Sequence, residues 1–272
     1  MEQRLKRHGE TIDWLQAGNA KDPKHTNWSH PVFSFAAGAT LTIYCGYQVV
    51  PYMDLKPFDD YQAHFYYGHL LSVYMILLVV SRLLVGGPKE LYYQLWACNI
   101  GIYTAIVGIF TGHRIIVAAA CAAVSPDQVF WYVDVLARII TGKYPIGVAK
   151  YVEKKETHLV HRLTAIHHLC FMPICIHYIR STGKGDWPQH AFLSVFIAVS
   201  VLSVWTRVFV PRFIGKKELN INMSYRFWSD IPIKTLHTLN GKTAHIYVPF
   251  IILFYMTLVA VFYPLFLFCA KV

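Results

Sequence analysis

From residue 31 to residue 268 the chain is a succession of apolar stretches joined by short polar connections. A helix needs about 20 apolar residues to cross the hydrocarbon core of a bilayer. Stretches of about that length lie at roughly 31–53, 64–86, 92–111, 114–137, 157–179, 189–210 and 243–268. With 55% hydrophobic and only 15% charged residues, little chain is left for a soluble domain. The expected fold is all-α: a polytopic integral membrane bundle of about seven transmembrane helices over 31–268. It follows a polar segment over 1–30, where a short amphipathic helix fits Thr11–Ala17.

Charge placement orients such a bundle, because Lys and Arg gather at the cytoplasmic ends of spans. With the N-terminus inside, nineteen of the 25 basic residues fall on the inner side, most of them at 138–155 and 207–242. Lys56, Arg114, Arg180, Lys184 and Lys271 fall outside, and Arg162 lies within a span. The basic surface suits anionic lipid headgroups as partners. No basic stretch carries a nucleic-acid-binding motif. The six cysteines lie in spans or at their edges without the paired spacing of a zinc site, and read as small buried apolar residues.

Within the bundle, the run from Glu156 to Tyr178 concentrates the chemistry. It is apolar enough to span, yet contains His158, His161, His167, His168, His177 and Arg162. Ionisable groups in hydrocarbon are expensive and mark sites or partnered interiors. On ideal geometry of about 100° per residue, His158, His161, Thr164, His168 and Cys175 share one arc, while His167 faces another way. Asp127, just after Pro126 in the preceding span, comes to the same depth as His167-His168. A carboxylate beside an imidazole orients it for general-base work. The alternatives are hydrogen-bonded core histidines, and an Asp127 that caps the helix resuming after a kink at Pro126.

Metal and haem sites make different demands. A di-iron centre needs several His-x-x-His-His boxes, and none recurs. A b-type haem needs one histidine from each of two facing helices; His69, His113, His168 and His245 are the candidates. Zinc needs a third or fourth ligand from elsewhere, such as Asp134. There is no Gly-x-Ser-x-Gly elbow and no phosphate-cradling glycine loop.

Three features occur in one order: Phe130-Trp131-Tyr132-Val133-Asp134 ending a span, His167-His168 in the next, and Ser200 seven residues before Arg207 in the one after. Over about residues 60–268 this order resembles the TLC domain, the membrane family that includes the ceramide synthases. The resemblance implies an acyltransferase of the endoplasmic reticulum moving an acyl group from acyl-CoA to a lipid amine. On that resemblance His167, His168 and Asp134 would be catalytic and Ser200 and Arg207 would contact lipid or substrate; Asp127, by its depth, joins the catalytic candidates and His161, by its place on the arc, the substrate-contacting ones. No resident cofactor is expected on that reading, and membrane lipids are the expected partners. The alternatives are a non-catalytic accessory subunit of a larger assembly, such as a respiratory complex of the mitochondrial inner membrane, and a b-haem membrane protein.

Overall fold

A computed structural model describes residues 30–48, 60–155, 157–182, 188–214, 217–227, 233–240 and 242–271. The proposed amphipathic helix at Thr11–Ala17 lies outside the described residues. The main helices are α1 (Pro31–Tyr47), α2 (Phe65–Gly86), α3 (Ala97–Phe110), α4 (Arg114–Thr141), α5 (Leu159–Leu163), α6 (His167–Ser181), α7 (Pro188–Phe209), α8 (Lys234–His237) and α9 (Ala244–Lys271). A two-residue hairpin, β1 (Phe213–Ile214) with β2 (Lys217–Glu218), follows α7.

Among the described residues five helical segments are long and apolar enough to cross a membrane, or six if one bent pair counts as a span. The expected stretch at 92–111 is that pair. A 3-10 helix, Pro88–Leu95, meets α3 at a 78° bend. With its 14 residues, α3 alone reaches only about 21 Å, short of the roughly 30 Å hydrocarbon core. The expected first span is described only as the 17 residues of α1.

Helix α4 is the axis of the bundle. The most apolar part of α4 is 72% buried, against 22% to 39% for the other spans. It packs against α3, α6, α7 and α9. Gly112, at φ +72°, turns α3 directly into α4, so the two form the antiparallel hairpin that their short link predicts. On the outside, α2 exposes Leu70, Val73, Ile76, Leu77, Val80 and Leu84, and α9 exposes Leu253, Val261, Leu265 and Phe268. Apolar faces of that size suit lipid rather than water.

Helix α1 meets α7 through a stripe of small residues four apart: Ser34, Gly38, Thr42 and Gly46. Small residues let backbones approach closely where no hydrophobic force drives helices together. Gly38 lies against the Trp205 indole, whose N–H donates to the Ser34 carbonyl at 3.0 Å. The Ser194 hydroxyl donates to the Gly46 carbonyl at 2.8 Å.

Proline inside a helix frees the carbonyl four residues back, which must be satisfied within the membrane. Helix α4 runs unbroken through Pro126. Its freed carbonyl, on Ala122, accepts from the Ser125 hydroxyl at 2.9 Å, and the next, on Ala123, accepts from Tyr255 at 2.7 Å. In α6, Pro173 frees the Leu169 carbonyl, which accepts from Tyr132 at 3.2 Å. In the segment after α7, Phe227 is fully buried, packed on Tyr247 and Phe254 of α9.

Candidate functional site

Three irregularities in the helices aim polar groups into one space. The first is the bend at Trp96. A broken helix leaves backbone groups unpaired, and here Asn222 pairs them: its side-chain oxygen accepts from Ala97 N–H at 2.8 Å and its amide donates to the Leu95 carbonyl at 2.7 Å. Asn222 sits at φ +52°, a conformation Asn tolerates better than most residues. The bend leaves Cys98 and Asn99 in the first turn of α3.

The second irregularity is a 3-10 turn, Thr164–Ile166, between α5 and α6. Three residues at about 120° instead of 100° advance the phase by roughly 60°. The expectation that His168 faces the interior while His167 points elsewhere is thereby overturned. Both line the same chamber, with ring centroids 4.0 Å apart. The third is Pro126, immediately before Asp127.

The chamber has a volume of about 440 Å³, within the usual 300–1,000 Å³ of small-molecule sites. Its walls include Asp127 and Trp131 from α4, Cys98 and Asn99 from α3, Arg82 from α2 and the histidine pair. Gly147, Val148, Tyr151 and Lys154 close one side from the α4–α5 connection, and Arg226 reaches in from the segment after α7. A narrow apolar annex of about 60 Å³ shares Trp96, Cys98 and Asp127 and runs between α7 and α9, along Val199, Leu202 and Ile251.

Within it, the His168 Nε2 lies 3.3 Å from Asp127 Oδ2, and its Nδ1 lies 3.1 Å from the Ala165 carbonyl. Trp131 stacks on the same ring, 5.5 Å between centroids and 14° between planes, which fixes its plane. His167 Nδ1 is 2.8 Å from the Thr164 carbonyl, to which Tyr74 also donates at 2.6 Å. Arg82 donates to the Thr164 hydroxyl at 3.1 Å, so the 3-10 turn is held from both its carbonyl and its side chain. His161 also lines the chamber and meets the buried Glu90 at 3.1 Å.

The remaining candidates lie elsewhere. Asp134 is fully buried and its carboxylate accepts three backbone N–H groups, from Ile146 at 2.8 Å, Gly147 at 3.1 Å and Ala149 at 3.0 Å. It clamps the connection that walls the chamber and does not itself line it. Arg207 donates to the Ser224 carbonyl at 2.9 Å and lies over the Tyr225 ring, 4.5 Å from its centroid. Ser200 is half-buried on α7, outside the chamber wall. Of the four haem candidates only His168 lines the chamber.

Several site residues give little signal in the sequence. Cys98, expected to be a small buried filler, is half-buried and faces the histidines. Cys170, expected to be buried, is exposed. Tyr74, Arg82 and Asn222 matter through contacts many tens of residues away. Glu90 had a local signal: an acid beside Gly86-Gly87-Pro88 at the end of an apolar stretch. No family model, curated protein or solved structure matches the chain.

Proposed function

We propose that the chain is an integral membrane enzyme of lipid acyl chemistry, transferring an acyl group from a thioester such as acyl-CoA to a lipid amine. The observation that carries this reading is the Asp127–His168 pair, 3.3 Å apart within a chamber of about 440 Å³ inside an apolar bundle. In the transfer, the amine nitrogen attacks the thioester carbonyl and its proton passes to the Asp127–His168 pair. The C–S bond then breaks, and the departing thiolate takes that proton. Positioned acid–base groups of this kind contribute about 10²–10⁴-fold to rate.

Arg82, Lys154 and Arg226 bring positive charge to the chamber, suited to the phosphates of a CoA group. The apolar annex suits the first methylenes of an acyl chain. The resemblance to the TLC domain supports the same reading through His167 and His168, with Asp127 in the acidic role that the resemblance gives to Asp134. An internal membrane such as the endoplasmic reticulum is the proposed location.

The test is turnover of long-chain acyl-CoA with lipid amines by the purified protein in lipid nanodiscs. Asp127→Asn and His168→Ala should each lower turnover at least 100-fold while leaving thermal unfolding of the protein intact. If wild-type protein shows no turnover with any acyl donor and instead copurifies in a stable stoichiometric complex, the accessory-subunit reading replaces this one.

A further inference from the structure

We infer that the chamber binds one divalent metal ion of the zinc type, held by Cys98 Sγ, His167 Nε2 and His168 Nε2, with Asp127 beside the remaining position. The inference goes beyond the acyl reading and stands on the chamber's geometry alone.

One ligand atom from each of Cys98, His167 and His168 lies within 4.8 Å of the other two, and the hydrogen bonds to backbone carbonyls single out Nε2 as the free nitrogen of each ring. Zinc bond lengths of about 2.0–2.3 Å set the edges of a tetrahedral site at roughly 3.3–3.7 Å. Side-chain movement on the order of 1 Å therefore closes the three atoms on an ion.

The hydrogen bonds point the same way. Each ring turns its Nδ1 toward a backbone carbonyl, Thr164 for His167 and Ala165 for His168. A carbonyl only accepts, so an Nδ1 bonded to one carries the proton. His167 Nδ1 also lies 2.8 Å from the Tyr74 hydroxyl, whose own proton goes to the Thr164 carbonyl at 2.6 Å, so that oxygen accepts from Nδ1 and each Nε2 presents a lone pair. This is the usual arrangement of a metal-bound histidine, whose second nitrogen donates to a carbonyl or carboxylate. His167 Nε2 is buried and has no hydrogen-bond partner among the described residues. His168 Nε2 faces a carboxylate oxygen at 3.3 Å, two electron-rich atoms that need a proton or a cation between them. An ion bound by both Nε2 atoms answers both demands at once.

The donor set selects the ion. One thiolate with two imidazoles suits zinc, where magnesium or calcium would want oxygen. Binding releases the Cys98 thiol proton to water as the S–Zn bond forms, with no change of oxidation state. Three protein ligands and one further position is the pattern of catalytic rather than structural zinc. With His168 Nε2 on an ion, Asp127 would be the group of the pair left able to take up a proton beside the fourth position.

The test uses the full chain without a polyhistidine tag, stripped with chelator, incubated with zinc and desalted. Elemental analysis should give one zinc per chain. Cys98→Ser, His167→Ala and His168→Ala should each weaken binding at least tenfold, while Cys170→Ser should leave it unchanged. Cobalt in place of zinc should give a thiolate-to-metal absorption band that disappears in Cys98→Ser. Cys98→Ser is close to isosteric, and thermal unfolding of its metal-free form reports whether it folds. Wild-type protein that retains no more zinc than the Cys98→Ser, His167→Ala double variant overturns the inference. None of these readouts involves acyl turnover, so failure of the acyl assay leaves the metal result standing and failure here leaves the acyl assay to be judged separately.

Discussion

Removing the Asp134 carboxylate separates a catalytic from a structural role for that residue. Three backbone N–H groups converge on it at 2.8 to 3.1 Å, and the Asp134 and Ala149 ends of this network are buried. Hydrogen bonds to a charged acceptor contribute about 1.5–3 kcal/mol each, and a buried donor left bare costs about 1–3 kcal/mol. In Asp134→Ala only the Ala149 N–H is deeply buried; Ile146 and Gly147 are partly reachable by water. The expected loss is therefore about 3–5 kcal/mol rather than the full sum. Asp134→Asn keeps one oxygen for Ile146 and Gly147 but turns an amide N–H toward the Ala149 N–H, for a loss of about 2–3 kcal/mol. Chemical unfolding in detergent measures both. Limited trypsin digestion, which cuts after Lys143 and Lys150 in the released connection, reports the local effect. If Asp134→Asn unfolds like wild type and resists trypsin equally, yet loses acyl turnover, the clamp argument is wrong and Asp134 belongs to the chemistry.

Two further perturbations probe the scaffold. Gly38→Leu forces a side chain into the Trp205 indole, and overpacking of this kind costs about 1–3 kcal/mol; a lowered unfolding temperature is the expected result, with the Gly38→Leu, Trp205→Ala double variant losing less than the sum of the two single losses, and additive losses would refute the contact. Glu218 lies outside the spans; burial pushes its carboxyl up, but Arg212 at 2.9 Å and Arg226 at 2.5 Å hold it below the ordinary carboxylate range. A carboxyl depressed in the folded state adds stability above its unfolded value of about 4.3 and loses it as pH falls through the folded value. Unfolding followed from pH 6 downward should show that loss in wild type and a flatter profile in Glu218→Gln, and parallel profiles would count against the ion triplet.

The apolar stretches were legible because span length and burial are written locally, one residue after another. The depth match between Asp127 and His168 was legible for the same reason, since proximity to Pro126 and position along a span fix height in the bundle. Rotation and breakage were not. The bend at Trp96 depends on Asn222, 125 residues away from the Ala97 N–H it accepts. Nothing in Trp96-Ala97-Cys98 announces it, so a bent pair reads as one straight span and Cys98 reads as filler. The phase advance at Thr164–Ile166 depends on Arg82 and Tyr74 holding the turn from α2, and no periodicity within 157–179 contains that information. Asp134 is the opposite case: its position at the end of an aromatic run is a local pattern, whereas its hydrogen-bond partners lie 12 to 15 residues on, in a connection that folds back.

Three of these irregularities converge on one place, whereas Pro173 in α6 and Pro249 and Pro264 in α9 do not line the chamber. In hydrocarbon every broken backbone bond must be replaced by a specific partner, so each departure from a straight helix carries a cost that lipid cannot relieve. A chain that needed only to span would spread such departures where neighbours happen to fit, or avoid them. Here the bend precedes Cys98, the 3-10 turn precedes His167 and His168, and Pro126 precedes Asp127, and all of these side chains line one chamber. Each departure has its own compensating group: Asn222 at the bend, Arg82 and Tyr74 at the turn, Ser125 and Tyr255 at the proline. Local conflict concentrated beside ionisable groups is what a functional site produces, because positioning those groups is the only return on the strain. Arg207, by contrast, is buried on a regular stretch of helix and bonded to the loop that follows, and Asp134 is bonded to the connection that follows its own helix. The groups that converge on the chamber are those beside a bend, a 3-10 turn or a helix proline.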